Sequence, residues 1–359
     1  VLQRIATGPE LSKPISAEDA YAVMSDILAG RADEVQAAVF LIALRMKRET
    51  DDELRGLLAA INDVTESCTV DAEVVVSIAD PYDGFNRSLA ISAFLPSVLS
   101  ASGLAVFSHG VETIGPKNGA THHRVLASAG VNVTRDTKTV AERLSDPNIG
   151  WGYLDQSSFC PALFELRNLR EKIVKRPALT TLEGLVNPLV GGDETHLVKG
   201  YVHKAYPRVY ALMAKHAGFH SGLLVRGVEG GVIPSLRQAA TFWRWADNDD
   251  AVEGNLHPKA LGIDQSTRGV PLPDELDGYR RKAEEQGLAL DVPSMADAAA
   301  QAGLAALAGQ KGPTRDALVF AGSIILWHVG QVASPEDGAL VIQDDLDSGA
   351  ALERFNEGK

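Results

Sequence analysis

The feature that most constrains this chain is a change of pattern near residue 73. Up to Cys68 the sequence is helical throughout. Ser16-Ala-Glu-Asp19 resembles a capping box, and the helix it opens carries Ala20, Met24, Ile27 and Leu28 on one face before Gly30 stops it. Asp33 starts a second helix with Val35, Val39, Leu41, Ile42 and Met46 as apolar positions. Thr50-Asp-Asp-Glu53 caps a third, with Leu54, Leu57, Leu58 and Ile61 inward. Glu73-VVVSIAD is then a β-branched run of the buried-strand type. Further strands are expected at Gly103-LAVFSHG, Asn132-Val-Thr, His196-LVKGYVH and Gly222-LLVRGVEGG, with helical stretches between them such as Ser88 to Ser102.

Strands alternating with helices make a largely parallel sheet. The expected fold is therefore α/β: a small all-helical N-terminal domain (residues 1–68, joined by a helical segment near 160–190) and a large α/β domain (69–359) with a mostly parallel central sheet. Ligands of such sheets bind at the carboxyl ends of the strands. That rule points to Asp80–Asn86, Ser108–Gly119 and Arg226–Ile233. The segment from Asp274 to Asp291 reads as a surface helix, and the run Asp247 to Asp250 as an acidic loop.

Composition excludes several classes. A 45% hydrophobic content without any apolar run of about 18 residues gives no expectation of a membrane span. The opening residues lack a charged stretch followed by an apolar core, so no secretory signal is read there. Cys68 and Cys160, far apart in sequence, suggest neither a disulfide framework nor a zinc site, and a cytoplasmic location is expected. The formal charge of −13 argues against a protein coated all over by nucleic acid.

Against that charge, one segment is basic: Arg167, Arg170, Lys172, Lys175 and Arg176, opposed inside the run only by Glu171. A dense basic island in an acidic chain is either an anion site or a solvated helix face. With Leu166, Leu169 and Ile173 inward, Arg167, Arg170 and Lys175 would project from neighbouring turns, and Pro177 would end the helix near Arg176. Tyr153, Phe159 and Phe164 are either core or stacking surfaces. A second candidate is a glycine-bounded pocket of His109, Gly110, Lys117 and Asn118, where a lysine and backbone N–H groups can hold a phosphate. Asn86 and Ser88 either cap the helix that follows or bind an anion there. His216 and His220 have zinc-like spacing, but no glutamate completes the motif, so no metal site is read. His122 and His123, being adjacent, should point apart.

The order of these pieces resembles the anthranilate phosphoribosyltransferase family, which shares its fold with the pyrimidine nucleoside phosphorylases. The helical opening ILAGRADEVQAAVFLIALRMKRETDDELRGL and the closing GPTRDALVFAGSIILWHVGQVASPEDGALVIQDDLDSGAALERF carry the likeness at the two ends. Between them, Ser108-His-Gly110 stands where the family has Lys-His-Gly, and Pro116-Lys-Asn-Gly119 where it has a Ser-Lys-Ser-Gly anion loop. The resemblance places Arg170 on the arginine that contacts the aromatic acid and Asn187-Pro188 on the family Asn-Pro.

Three departures accompany it. The family's Gly-Thr-Gly-Gly-Asp diphosphate loop is matched here by Ala79-Asp-Pro-Tyr-Asp-Gly84, in which proline lacks an N–H and Tyr82 adds bulk. The magnesium-holding Asp-Glu pair is matched by Val232-Ile233, which cannot ligate a hard cation. Ser108 replaces a lysine. The stretch LREKIVKRPALTTLE (Leu169 to Glu183), with Tyr153-Leu-Asp-Gln156, His203-Lys-Ala-Tyr206 and Gly227-Val-Glu-Gly230, resembles a divergent, nucleic-acid-binding branch of the family.

That resemblance implies a homodimer, formed through the helical domain, that binds a polyanion such as single-stranded nucleic acid across Arg167–Arg176 without catalysis or cofactor. Arg170→Ala with Arg176→Ala is then expected to abolish binding and leave the fold intact. The alternative is a phosphoribosyl transferase acting on an aromatic or base-like acceptor. It would use His109, Gly110, Lys117, Arg170 and Asn187, with Asp83 or Glu229 bringing in magnesium and a phosphorylated small molecule as partner.

Overall fold

The computed structural model describes residues 1–359 except Pro9 and Asn248. The helices of the N-terminal unit run over Ala17–Leu28, Glu34–Lys47 and Asp51–Asp63. Their starts follow the sequence signals. Ser16 accepts the Asp19 N–H, Asp33 accepts from Val35 and Gln36, and Thr50 and Glu53 form a complete reciprocal capping box.

The strands are β1 (Cys68–Thr69), β2 (Val74–Ala79), β3 (Ala105–Gly110), β4 (Trp151–Asp155), β5 (Leu189–Val190), β6 (Glu194–Gly200), β7 (Ser221–Val225), β8 (Ala240–Ala246) and β9 (Val252–Leu256). A 7-stranded sheet has the order β4-β3-β2-β6-β7-β8-β9. It is parallel from β4 through β7, and β8 and β9 add an antiparallel edge. β1 and β5 form a separate parallel pair. This is the mostly parallel α/β domain, beside a helical domain, that the sequence implied.

Both faces of the sheet are covered, as its continuous apolar strands require. Alternate residues of one strand enter different cores. Val75, Ala79 and Leu197 pack with the N-terminal helices and the 156–185 segment, while Val76, Ile78 and Val198 pack with the C-terminal helices. The helix Arg167–Ile173 lies against Glu34–Lys47.

Three expectations change. Asn132–Thr134 is a turn rather than a strand, because the Asn132 side chain accepts the Thr134 N–H (3.1 Å). Five strands, β1, β4, β5, β8 and β9, lie outside the expected set; in β4, beside β3, Trp151 stacks on Phe355. Ser88–Ser102 is not one helix: a short 3₁₀ turn at Ile91–Phe94 precedes the helix Leu95–Ala101. The surface helix is observed at Asp274–Gln286. Of the acidic loop, Asn248 lies outside the described residues.

Candidate functional site

The carboxyl ends of β2, β6 and β7 open onto a cleft of about 600 Å³ between the two domains. The loop after β2 contributes Asp80 to Asn86, the loop after β3 contributes Lys117, and the turn after β7 contributes Glu229. Arg45 and Glu49 reach it from the helical domain.

Glu229 organises one side. It has a left-handed backbone (φ 53), in a turn where a Cβ at Gly227 would strike the Gly231 carbonyl and one at Gly231 the Phe85 ring. Its carboxylate accepts the N–H groups of Asn86 (3.0 Å) and Arg87 (2.9 Å), the Ser88 hydroxyl (2.8 Å) and the Lys117 ammonium (2.9 Å). Lys117 also donates to the Gly84 carbonyl (2.5 Å). Burial pushes the Glu229 carboxyl up, but Lys117 and the Asn86 and Arg87 N–H groups outweigh it and hold it below the ordinary range. Ser88 and Asn86 therefore neither cap a helix nor face an open anion site. The Asn86 amide instead donates weakly to the Lys117 carbonyl (3.4 Å).

A second carboxylate closes the other side. Arg170 is buried, with its guanidinium on Glu183 and the Thr180 hydroxyl (3.1 Å). Asp83 is held by Arg176 through Nε (3.0 Å) and Nη2 (2.5 Å). Asp80 is buried just past the carboxyl end of β2, where it accepts the Val232 N–H (2.8 Å) and binds Ser92 and His122 (2.9 Å). Burial alone would raise the Asp80 carboxyl, yet the His122 imidazole and these hydrogen bonds lower it. Tyr82 is buried with its hydroxyl 2.5 Å from His109 Nδ1, packed with Val111 and Ile114 against Phe164. It fills the space behind the β2 loop. Burial, with the Lys199 and His122 charges, brings His109 down to about 3, so the imidazole is neutral.

The remaining pocket candidates are placed apart from one another. Asn118 takes a left-handed conformation (φ 46) and accepts the Thr113 hydroxyl (3.1 Å). Gly110 ends β3 facing the Tyr153 hydroxyl. Asn187 keeps a buried Oδ1 without a partner among the described residues. His122 and His123 do diverge, to Asp80 and to Asp155 (2.8 Å). Tyr153 and Phe159 are core.

The basic island is not one stripe. Its helix is only Arg167–Ile173 and ends at Val174 in a left-handed cap (φ 62), before Arg176. Arg167 folds back over the Phe164 ring and donates to the Phe164 carbonyl (3.0 Å). Lys172 pairs with Glu34 (2.6 Å). Lys175 is exposed with no ion pair among the described residues, and the Arg176 side chain is 50% exposed. Arg170 belongs to the core, so its removal cannot leave the fold untouched.

Sequence reasoning missed Lys199. It stands next to last in the central strand β6, lines the cleft, and is buried beside Tyr210. Burial lowers its ammonium to about 8, although Glu183 and Asp80 pull the other way. The available signal was a lysine inside an apolar strand run followed by glycine. Glu183, the partner of Arg170, was visible only as part of a motif.

Residues 1–64 match the helical bundle domain of a glycosyl transferase family, and residues 83–352 match its a/b domain. Anthranilate phosphoribosyltransferase of Anaeromyxobacter sp. (strain K) is 27% identical over 99% of this chain and 96% of its own. That of Methanobrevibacter smithii is 27% identical over 96% of this chain and 95% of its own. Among solved structures, anthranilate phosphoribosyltransferase from Thermus thermophilus superposes with a TM-score of 0.74 at 21% identity, covering 99% of this chain and 97% of that one. The Saccharomyces cerevisiae enzyme in complex with PRPP and Mg gives 0.74 at 16% identity, covering 99% and 94%. With both domains matched and the fold shared along its length, the chain belongs to the anthranilate phosphoribosyltransferase-like glycosyl transferase family.

Proposed function

We propose that this protein binds a polyanion, single-stranded nucleic acid in the first instance, along the rim of the interdomain cleft, and that it does not perform ordinary anthranilate phosphoribosyl transfer. One observation carries the second half: the cations that the family resemblance assigns to anionic substrates hold protein carboxylates instead. Glu229 takes Lys117 with the Asn86–Ser88 loop, and Glu183 takes Arg170. The residues also do not fit magnesium. Val232 and Ile233 are buried apolar side chains, Asp83 is committed to Arg176, and Glu229 to Lys117.

Two cations near the cleft have no ion pair among the described residues: Arg45, which lines it, and Lys175, exposed next to the lining residue Arg176. Arg87 and Arg176 also line it, with side chains 70% and 50% exposed, and hold Glu284 (3.5 Å) and Asp83. Arginine forks suit phosphate oxygens. A labelled single-stranded oligonucleotide should therefore bind with an affinity that falls steeply with salt, by a slope of about −0.7 per phosphate neutralised. Arg45→Ala with Lys175→Ala should flatten that slope. No binding in low salt would contradict the proposal.

The protein is also read as a homodimer. Val35, Val39 and Met46 form an exposed apolar stripe on the helix Glu34–Lys47, beside Ile42, with Glu34 and Lys172 at its edge. A second copy across a twofold axis would cover this stripe and meet opposite charges. Light scattering should give a dimer mass, and Met46→Lys a monomer.

The transferase alternative needs Asp83 or Glu229 to release its cation. Magnesium-dependent uptake of phosphoribosyl diphosphate would favour it; none in a calorimetric titration would dispose of it.

A further inference from the structure

Lys199 is the exception among the buried ionisable groups of the cleft. It is 5% exposed, lines the cleft, and its ammonium has neither a hydrogen bond nor an ion pair among the described residues. Buried ammonium groups are costly without partners. Nζ can sit where it does only because residue 184 is glycine: a Cβ there would overlap it. The charged and titratable groups facing it are already engaged. Glu183 is on Arg170, Asp80 is on His122 and Ser92, and the neutral His109 is on Tyr82.

An aromatic wall stands beside it. The ammonium lies 5.0 Å from the Tyr210 ring centre. Tyr210 and Tyr206 are 5.3 Å apart between centroids, and Tyr206 and His203 are 6.1 Å apart. All three line the cleft. Planar ligands stack on such rings, and an ammonium at their base fixes an oxyanion.

We infer that Lys199 and the Tyr206–Tyr210 wall form a ligand pocket in the cleft floor for a planar ring bearing one oxyanion, phosphate or carboxylate. This rests on the binding function proposed above, but it places one ligand unit on the floor rather than on the rim. The Lys117 cradle is not available for that oxyanion, because Glu229 fills it.

The arrangement has a pH signature. A lysine whose ammonium is lowered to about 8 loses its charge within the working range, and a bound oxyanion restores it. Binding should therefore take up a proton, and affinity should fall by about tenfold per pH unit above pH 8.

The test is calorimetry of the full chain with a nucleoside 5′-monophosphate and, separately, benzoate, at pH 7 and pH 9 in buffers of different ionisation enthalpy. At least one probe should bind at pH 7 with little proton uptake, and more weakly at pH 9, where binding should take up close to one proton. The phosphate-bearing probe winning would indicate a nucleotide unit, and benzoate winning an aromatic acid. Lys199→Met should weaken binding at least tenfold. Gly184→Ala, which keeps the lysine but pushes Nζ out of its place, should do the same, with folding of both checked by thermal unfolding. Failure of both probes to bind the wild type at pH 7 would overturn the inference, as would Lys199→Met binding as tightly as the wild type. Loss of small-probe binding with oligonucleotide binding retained refutes the floor pocket alone. The converse refutes the polyanion reading alone.

Discussion

Two positive positions of the same cleft are treated in opposite ways. Lys117 meets a carboxylate from its own chain, surrounded by the Asn86 and Arg87 N–H groups and the Ser88 hydroxyl. Lys199, on the floor, meets none among the described residues. The first is a finished structural cross-link that ties the β2 loop to the β7 turn. The second is a buried charge that no carboxylate answers, with the Tyr210 ring centre 5.0 Å away. A protein retains such a charge at a cost in stability, and perturbed buried groups concentrate where ligands bind. The difference teaches that a cation matching a family motif, as Lys117 does, is not by that fact available, whereas an unmatched lysine can be.

The comparison breaks most violently at Arg170. Its pair with Glu183 is buried on both sides. Arg170→Ala strands the Glu183 carboxylate and should destabilise the protein by about 3–5 kcal/mol, read as a fall in denaturation midpoint. A loss near zero would mean that Glu183 is not the anion that closes this position.

Lys199→Met should act in the opposite direction. A base lowered from 10.5 to about 8 on folding leaves the folded state with fewer protons than the unfolded one between those values. Stability therefore rises with pH across that window, and the full cost is present below pH 8. Removing the charge should stabilise the protein by roughly 3 kcal/mol at pH 7, with the gain vanishing above about pH 10.5. Equal stability of variant and wild type at pH 7 would show that the charge is satisfied. The gain in stability should come with loss of the floor ligand, a trade-off typical of binding residues.

Glu229→Ala is next. It removes the cross-link and should cost about 2 kcal/mol, because Lys117 and the loop N–H groups lose their acceptor. The Glu229 carboxyl is lowered on folding, so its contribution is present above its unfolded value and disappears as pH falls through the folded one. The variant should also gain binding of inorganic phosphate at the vacated cradle, detectable as a phosphate-dependent rise in melting temperature absent from the wild type.

The smallest effect concerns the turn that carries Arg176 to Asp83. Val174 is exposed and left-handed at the end of the helix Arg167–Ile173. A β-branched residue is strained there, and Val174→Gly should stabilise by about 1 kcal/mol without altering oligonucleotide binding. A loss of stability would contradict the strain.

What was legible in the sequence follows a physical boundary. Ser16, Asp33 and Thr50 announced their helices because capping is a contact between near neighbours. The runs at 74–79, 105–110, 196–200 and 222–225 announced their strands because a sheet covered on both faces must be continuously apolar. Trp151–Asp155 escaped because it contains Gly152 and ends in a polar motif, while Asn132-Val-Thr had the right residue types but an asparagine that closes a turn. The site was less legible because its decisive contacts are long-range. Glu229 lies far along the chain from Asn86 and Lys117, and no local rule couples them. Arg170 and Glu183 sit within one recognised motif, yet only folding shows that the basic residue of the motif is neutralised by its acidic one.

The central claim is that the cleft binds a polyanion rather than transferring phosphoribosyl groups. The most direct test is fluorescence anisotropy of a labelled single-stranded oligonucleotide against salt concentration, with phosphoribosyl diphosphate and magnesium as competitor. Tight, strongly salt-dependent binding that the competitor leaves unchanged is the predicted result. Absence of oligonucleotide binding at low salt, or its displacement by the competitor at stoichiometric concentration, would contradict it.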